Sequence, residues 1–306
     1  MVLSASMDRF LANEQALRAQ YFEERGVFPR VGAFWLTASG RTADAAALRD
    51  AAALCAAVDS RFDGMSAQVR PLLAAACAGE EPEPLLLRTG GAYRALREAF
   101  PPSPQLIPPA LLLARRCPDE ADFDETVRRV KALFDALGSA HPVLTGFEDL
   151  GACALLALSG QDMEAAAKAE AAAEAMLKPA HLSGNALQTL ALMACLAQDA
   201  EAFCAAVPVC LGCRLPPYGA GALAACGGDT AALAQKADAI AQSLKKEPAF
   251  GLLSMPGSER RLWASLLTAL DAHPAAPAPF AENVLAAAFF SFVGSNTTDD
   301  LAGLLP

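Results

Sequence analysis

The feature that most limits what this chain can become is the stretch from His141 to Leu177, HPVLTGFEDLGACALLALSGQDMEAAAKAEAAAEAML. Thr145 and Glu148 stand three residues apart, the spacing of a capping box in which a hydroxyl and a carboxylate satisfy the free amides of a helix start. Residues 150–158, LGACALLAL, have no polar face, so a helix here has to be covered on every side. Ser159-Gly160-Gln161-Asp162 then turns the chain, with Gly160 suited to a left-handed C-cap and Asp162 to the next N-cap. On the return segment Glu164, Lys168, Glu170, Glu174 and Lys178 fall on one arc. Ala166, Ala169, Ala173, Met176 and Leu177 fall on the other, as an amphipathic helix requires. The stretch reads as an αα-hairpin.

The same unit recurs. Candidate helix-start hydroxyls stand at Ser66, Ser103, Thr145, Ser183 and Ser258, a spacing of about 38 residues with the last interval doubled. After the starts come apolar runs at 72–77, 110–114, 153–158, 190–197, 221–226 and 262–270, then a turn and a second helix. Return segments such as Phe123, Val127, Val130, Phe134 and Leu137 follow the i, i+3, i+4, i+7 stripe. Hairpins repeated at a fixed period, none able to bury its apolar face alone, stack into a solenoid or close into an αα-ring. Pro71 and Pro108 call for late helix starts or kinks, and Pro208 with Pro216-Pro217 shortens one unit. The expected fold is all-α: a right-handed α-solenoid of about six αα-hairpins in residues 65–294, behind an amino-terminal helical segment (1–64) and before a tail (295–306). In the amino-terminal segment we expect helices over about Ser4 to Glu24, over Val31 to Leu36, and from Thr42 or Asp44 onward.

Composition supports this and excludes other classes. The chain is 54% hydrophobic but only 7% aromatic; alanine and leucine supply the difference, and both favour helix. The net charge of −10 is the wrong sign for a phosphate backbone, so no nucleic-acid partner is expected. No apolar run nears the roughly 20 residues of a membrane helix; the best, Val284 to Val293, has half that. The amino terminus lacks a signal-peptide pattern, and the nine cysteines form no disulfide framework. A soluble, cytoplasmic protein is expected.

Two segments also resemble a known family. HPVLTGFEDLGACALLAL contributes His141, Pro142, Leu144, Thr145, Glu148, Asp149, Leu155, Leu156 and Ala157. LSGNALQTLALMACLA contributes Gly184, Asn185, Leu187, Gln188 and Leu190. Their order and spacing resemble the bacterial domain-of-unknown-function family numbered four thousand and three, with Val143 in place of that family's phenylalanine. The resemblance implies an all-helical, bacterial, cytosolic protein and no particular reaction.

Three groups of residues come into question for chemistry. If adjacent units stack, His141, Thr145, Glu148, Asp149, Asn185 and Gln188 line neighbouring helix starts, where carboxylates can receive a cation or act as acid and base; capping and inter-repeat hydrogen bonding are the plain alternative. Cys210 and Cys213, with Cys204 nearby, have a CxxC spacing but no second pair to complete a zinc site, and cysteine in an apolar helix acts as a small hydrophobe. Asp299-Asp300 lacks a second acidic motif. No phosphate-binding loop, nucleophile elbow or HExxH is present. The function expected from architecture is a non-enzymatic scaffold for a protein or peptide partner, with no cofactor and a homodimer allowed. The alternative is an αα-ring enzyme or small-molecule binder with its site near 141–149 and 183–188.

Overall fold

The structure, a computed structural model, describes residues 4–21, 28–62, 69–78, 81–117, 119–251, 254–273, 280 and 283–288, without the side chains of residues 60, 61 and 148. Ser66, Asp299 and Asp300, the tail 295–306 and the side chain of Glu148 therefore lie outside the described residues. Fourteen α-helices have defined bounds among them: α1 Ala5–Gln20, α2 Phe28–Ala38, α3 Ala45–Ala57, α4 Arg70–Cys77, α5 Pro82–Ala99, α6 Ile107–Arg116, α7 Phe123–Ala140, α8 Leu150–Leu158, α9 Met163–Leu177, α10 Gly184–Leu196, α11 Ala200–Gly212, α12 Pro217–Ala224, α13 Thr230–Leu244 and α14 Gly257–Ala272. Residues 283–288 are also helical, and no strand occurs among the described residues. The protein is all-α.

The six apolar runs lie wholly or largely within α4, α6, α8, α10, α12 and α14, with one further helix between each successive pair. The helix ends follow local chemistry. Asp44, Asp199 and Asp229 accept hydrogen bonds from the first amides of α3, α11 and α13, as short acidic N-caps do. Pro71 and Pro108 sit in the first turns of α4 and α6, which begin late, where the missing N–H of proline removes no bond. Pro208 is accommodated inside α11. Gly160 takes φ +80° after α8, the left-handed conformation expected of it. Three of the expected starts differ: Ser183 precedes α10 without a side-chain bond to its amides, Ser258 lies inside α14, and Gly146 stands at the cap position expected of Thr145.

The chain forms two compact units interleaved in sequence. One comprises the described residues of 8–139 and 146–163. Within it α2 and α3 pack on α4, α5 packs on α6, and α6 packs on α8. Every residue of α8 from Leu150 to Ala157 is buried, the outcome its lack of a polar face requires. Phe100, Phe134 and Phe147 make an edge-and-stack cluster with centroids 5.3–6.5 Å apart. Gly32 of α2 lets two backbones meet: a Cβ there would stand 2.9 Å from the Pro71 carbonyl oxygen and 3.1 Å from the Ala75 methyl.

The other unit comprises residues 1–7, 140–145 and 164–291. Here α12 packs against both α10 and α14, with α11 on α12 and α13 on α14. The Gly219 and Gly221 positions of α12 face Ser265 and Leu190 so closely that a Cβ would stand 2.8 and 2.6 Å from them. Ser6 donates its amide to the Asp271 carboxylate of α14 at 3.3 Å, across 265 residues of sequence.

Gly32→Ala is expected to destabilise the protein by about 1–3 kcal/mol, because a backbone carbonyl cannot swing aside as a side chain can. Gly138→Ala, in α7 of the same unit with open space around it, is expected to stabilise by about 0.5–1 kcal/mol through helix propensity. Urea unfolding of the two variants checks both signs.

Candidate functional site

The loop 141–145 is folded by its own backbone and then fastened from two sides. The His141 carbonyl accepts from the amides of Leu144 and Thr145, both at 3.1 Å, a turn that Pro142 pre-sets. Leu144 packs on Gly184 at the start of α10, where a Cβ would stand 2.8 Å from either Leu144 methyl. Thr145 Oγ1 accepts from Gln188 Nε2 of α10 at 3.0 Å. On the other side His141 Nε2 lies 3.3 Å from Glu174 Oε2 and 3.9 Å from Glu170 Oε2, both of α9. Asn185, one turn before Gln188, is exposed.

The Thr145–Glu148 capping box expected from the sequence is not what forms. Thr145 spends its hydroxyl on Gln188, and the amide of Gly146 instead donates to the Asp149 carboxylate at 3.1 Å. The chain then enters α8 through a 3-10 turn, Phe147–Asp149. Asp149 is buried and occupied at this cap, in the unit that does not contain His141. Of the six residues read as one rim, the structure joins Thr145 with Gln188 and gives His141 two partners that the sequence reading had assigned elsewhere.

Those partners are the informative part. The buried stripe of α9 is Ala166, Glu170, Ala173 and Leu177, whereas Ala169 and Met176 are exposed. A carboxylate thus occupies a core position of the stripe. Glu170 is 1% exposed, and its Oε1 is buried with no hydrogen-bond partner. Burial first, and then the neighbouring Glu174 carboxylate, push its pKa up to about 7. Glu174, one turn on, is 18% exposed and His141 17%, so the group opens to solvent on one side only. The nitrogen and the two carboxylate oxygens lie within 4.8 Å of one another. In a tetrahedral zinc site with ligands at about 2.0–2.2 Å, ligand atoms stand about 3.3 Å apart. The His141–Glu174 edge has that length, the His141–Glu170 edge is 3.9 Å, and the Glu170–Glu174 edge lies within 4.8 Å, so the Glu170 carboxylate has to move in to complete the set.

The cysteine candidates are arranged differently. Cys204 and Cys210 are buried on α11 and Cys213 is exposed at its end. Burial pushes the thiols of Cys204 and Cys210 up to about 11, the behaviour of core filler and not of a metal thiolate. Among the described residues the group with metal-ligand spacing is His141, Glu170 and Glu174.

Residues 68–209 match the model of the family described as "Protein of unknown function (DUF4003)". The expected family is thereby found, over a span that contains all three residues of the His141 group. No curated protein and no solved structure matches the chain.

Glu170 gives the protein a pH dependence whose sign is fixed. Its pKa is raised above the ordinary glutamate value of 4.5, so between pH 4.5 and about 7 the folded state holds a proton that the unfolded state releases. Stability contributed by this residue therefore falls as pH rises through that window and then levels off, by an amount on the order of 3 kcal/mol. Urea unfolding in chelator at pH 5 and pH 8 should show this slope in the wild type and its loss in Glu170→Gln, which is expected to be the more stable of the two at pH 8. Separately, alkylation of the native protein at pH 8 followed by peptide mapping should label Cys213 well before Cys204 and Cys210.

Proposed function

We propose that this chain, with its DUF4003 segment, is a divalent-cation-binding protein whose site is His141 Nε2, Glu170 and Glu174. One observation carries the reading: a buried carboxylate with an unpartnered oxygen, held beside a second carboxylate and an imidazole at ligand spacing. Burying a carboxylate without a partner is costly, and a cation removes that cost by neutralising both acids and filling the free lone pairs. A mixed nitrogen and oxygen set suits a first-row divalent ion such as Zn²⁺ or Mn²⁺. Three protein ligands leave a further position for water or a small molecule on the half-open side. The ion would also lock the 141–145 loop to α9. Thr145 and Gln188 hold the loop so that His141 reaches the ion, the supporting role that neighbours of metal ligands commonly play.

This reading develops the small-molecule alternative near 141–149 and 183–188. It takes precedence over a peptide scaffold because named side chains carry it, whereas the scaffold rests on hairpin architecture alone.

Titration calorimetry on the full chain, chelator-treated and carrying Cys213→Ser to remove the exposed thiol, tests it. One Zn²⁺ per chain should bind, Mn²⁺ should bind more weakly, and the heat at pH 7 should vary with buffer because Glu170 releases a proton. His141→Ala and Glu170→Gln should each weaken Zn²⁺ at least tenfold. Absence of a one-to-one Zn²⁺ site, or equal affinity in both variants, would sink the proposal.

A further inference from the structure

A second site stands apart from the His141 group and does not depend on it. Within residues 197–283 lies a cavity of about 210 Å³, lined by residues 197–199, 202 and 224–227 and by Phe203, His273, Phe280 and Asn283. Asn283 is 0% exposed, yet both its Oδ1 and its Nδ2 lack any hydrogen-bond partner. Buried amides are almost always satisfied, because a group left unmade keeps its full desolvation penalty. Here both are unmade together, on a side chain that lines a cavity.

The walls describe what would satisfy it. Asn offers one acceptor and one donor side by side, so its complement is an edge with a donor and an acceptor at the same spacing. The rings of His273 and Phe280 lie 5.0 Å apart and tilted by 58°, giving an aromatic wall beside Asn283. Alanines 197, 202, 224 and 225 and Phe203 are among the remaining lining residues, which favours a ligand with an apolar body. No lysine or arginine is among the described residues that line the cavity. Asp199, the acidic residue there, already caps α11 through Oδ1. An anionic ligand would find no fixed positive charge among the described lining residues.

We propose that this cavity binds a small, uncharged planar ligand carrying a carboxamide or nucleobase edge, which Asn283 reads with two hydrogen bonds while His273 and Phe280 flank the ring. The cavity reaches past the family-matched span, since Cys226, His273, Phe280 and Asn283 follow residue 209.

Saturation-transfer NMR and calorimetry on the full chain, with nicotinamide, uracil and adenine as probes, test the assignment. At least one probe should bind with a dissociation constant below about 1 mM, and Asn283→Leu, which keeps the size and removes both polar atoms, should weaken it at least tenfold. Should that variant fail to fold, His273→Ala, at an exposed position, should weaken the same probe at least threefold. The assignment is overturned if no probe binds, as when water fills the cavity, or if the folded variant binds as well as the wild type. The cation measurement has no bearing on either outcome.

Discussion

A helix without a polar face cannot lie on a surface, and this requirement governs the fold. In α8 every residue from Leu150 to Ala157 is buried, and α10, α12 and α14 carry long buried runs as well. Such helices satisfy their own backbone internally but need apolar neighbours on all sides. The return helices, amphipathic by sequence, supply part of that cover and carry the charge outward. Alanine and glycine then set how near the helices come. Where Gly32 meets the Pro71 carbonyl, or Gly221 meets Leu190, contact is made at the helix surface itself and leaves no room for a methyl group. Aromatic side chains are few because there is little volume between such helices to fill.

Glu170 is the exception that this packing makes conspicuous. Among small apolar residues a carboxylate is expensive to bury, and the neighbours of Glu170 increase the expense: Glu174 is one turn away. Structure of this kind is commonly kept where a site needs groups held in an unfavourable state. Loop 141–145 shows matching care in its construction, with a turn of its own, the Leu144–Gly184 contact and the Thr145–Gln188 bond all serving to place one imidazole.

The helices were legible in the sequence because hydrophobic period, proline position and acidic caps all act locally. The apolar runs from 72–77 to 262–270 lie wholly or largely within observed helices, and Asp44 and Gly160 do what their chemistry suggests. The site was legible only in part. His141, Thr145 and Gln188 were visible as polar residues in two similar-looking segments, but their partners were assigned by an arc of charge on α9. Glu170 belongs to that arc by composition and to the buried stripe by angle, since 166, 170, 173 and 177 follow the i, i+4, i+7, i+11 pattern. A charged residue in phase with a buried stripe was the available signal. The displaced cap was not legible, because Thr145 chooses between a local amide and Gln188, 43 residues away. Tertiary contact decides such competitions. Asn283 gave no sequence signal at all; an orphaned amide is defined only by its surroundings.

The bond from Ser6 to Asp271 carries a consequence for how the molecule is made. During synthesis the residues around Ser6 leave the ribosome 265 positions before the carboxylate that receives them. At about 5–20 residues per second that is a wait of roughly a quarter of a minute to a minute. Until Asp271 emerges, the amide of the buried Ser6 lacks the carboxylate that receives it. This tie is therefore made late, and a nascent chain stalled before residue 271 lacks it whatever else has folded.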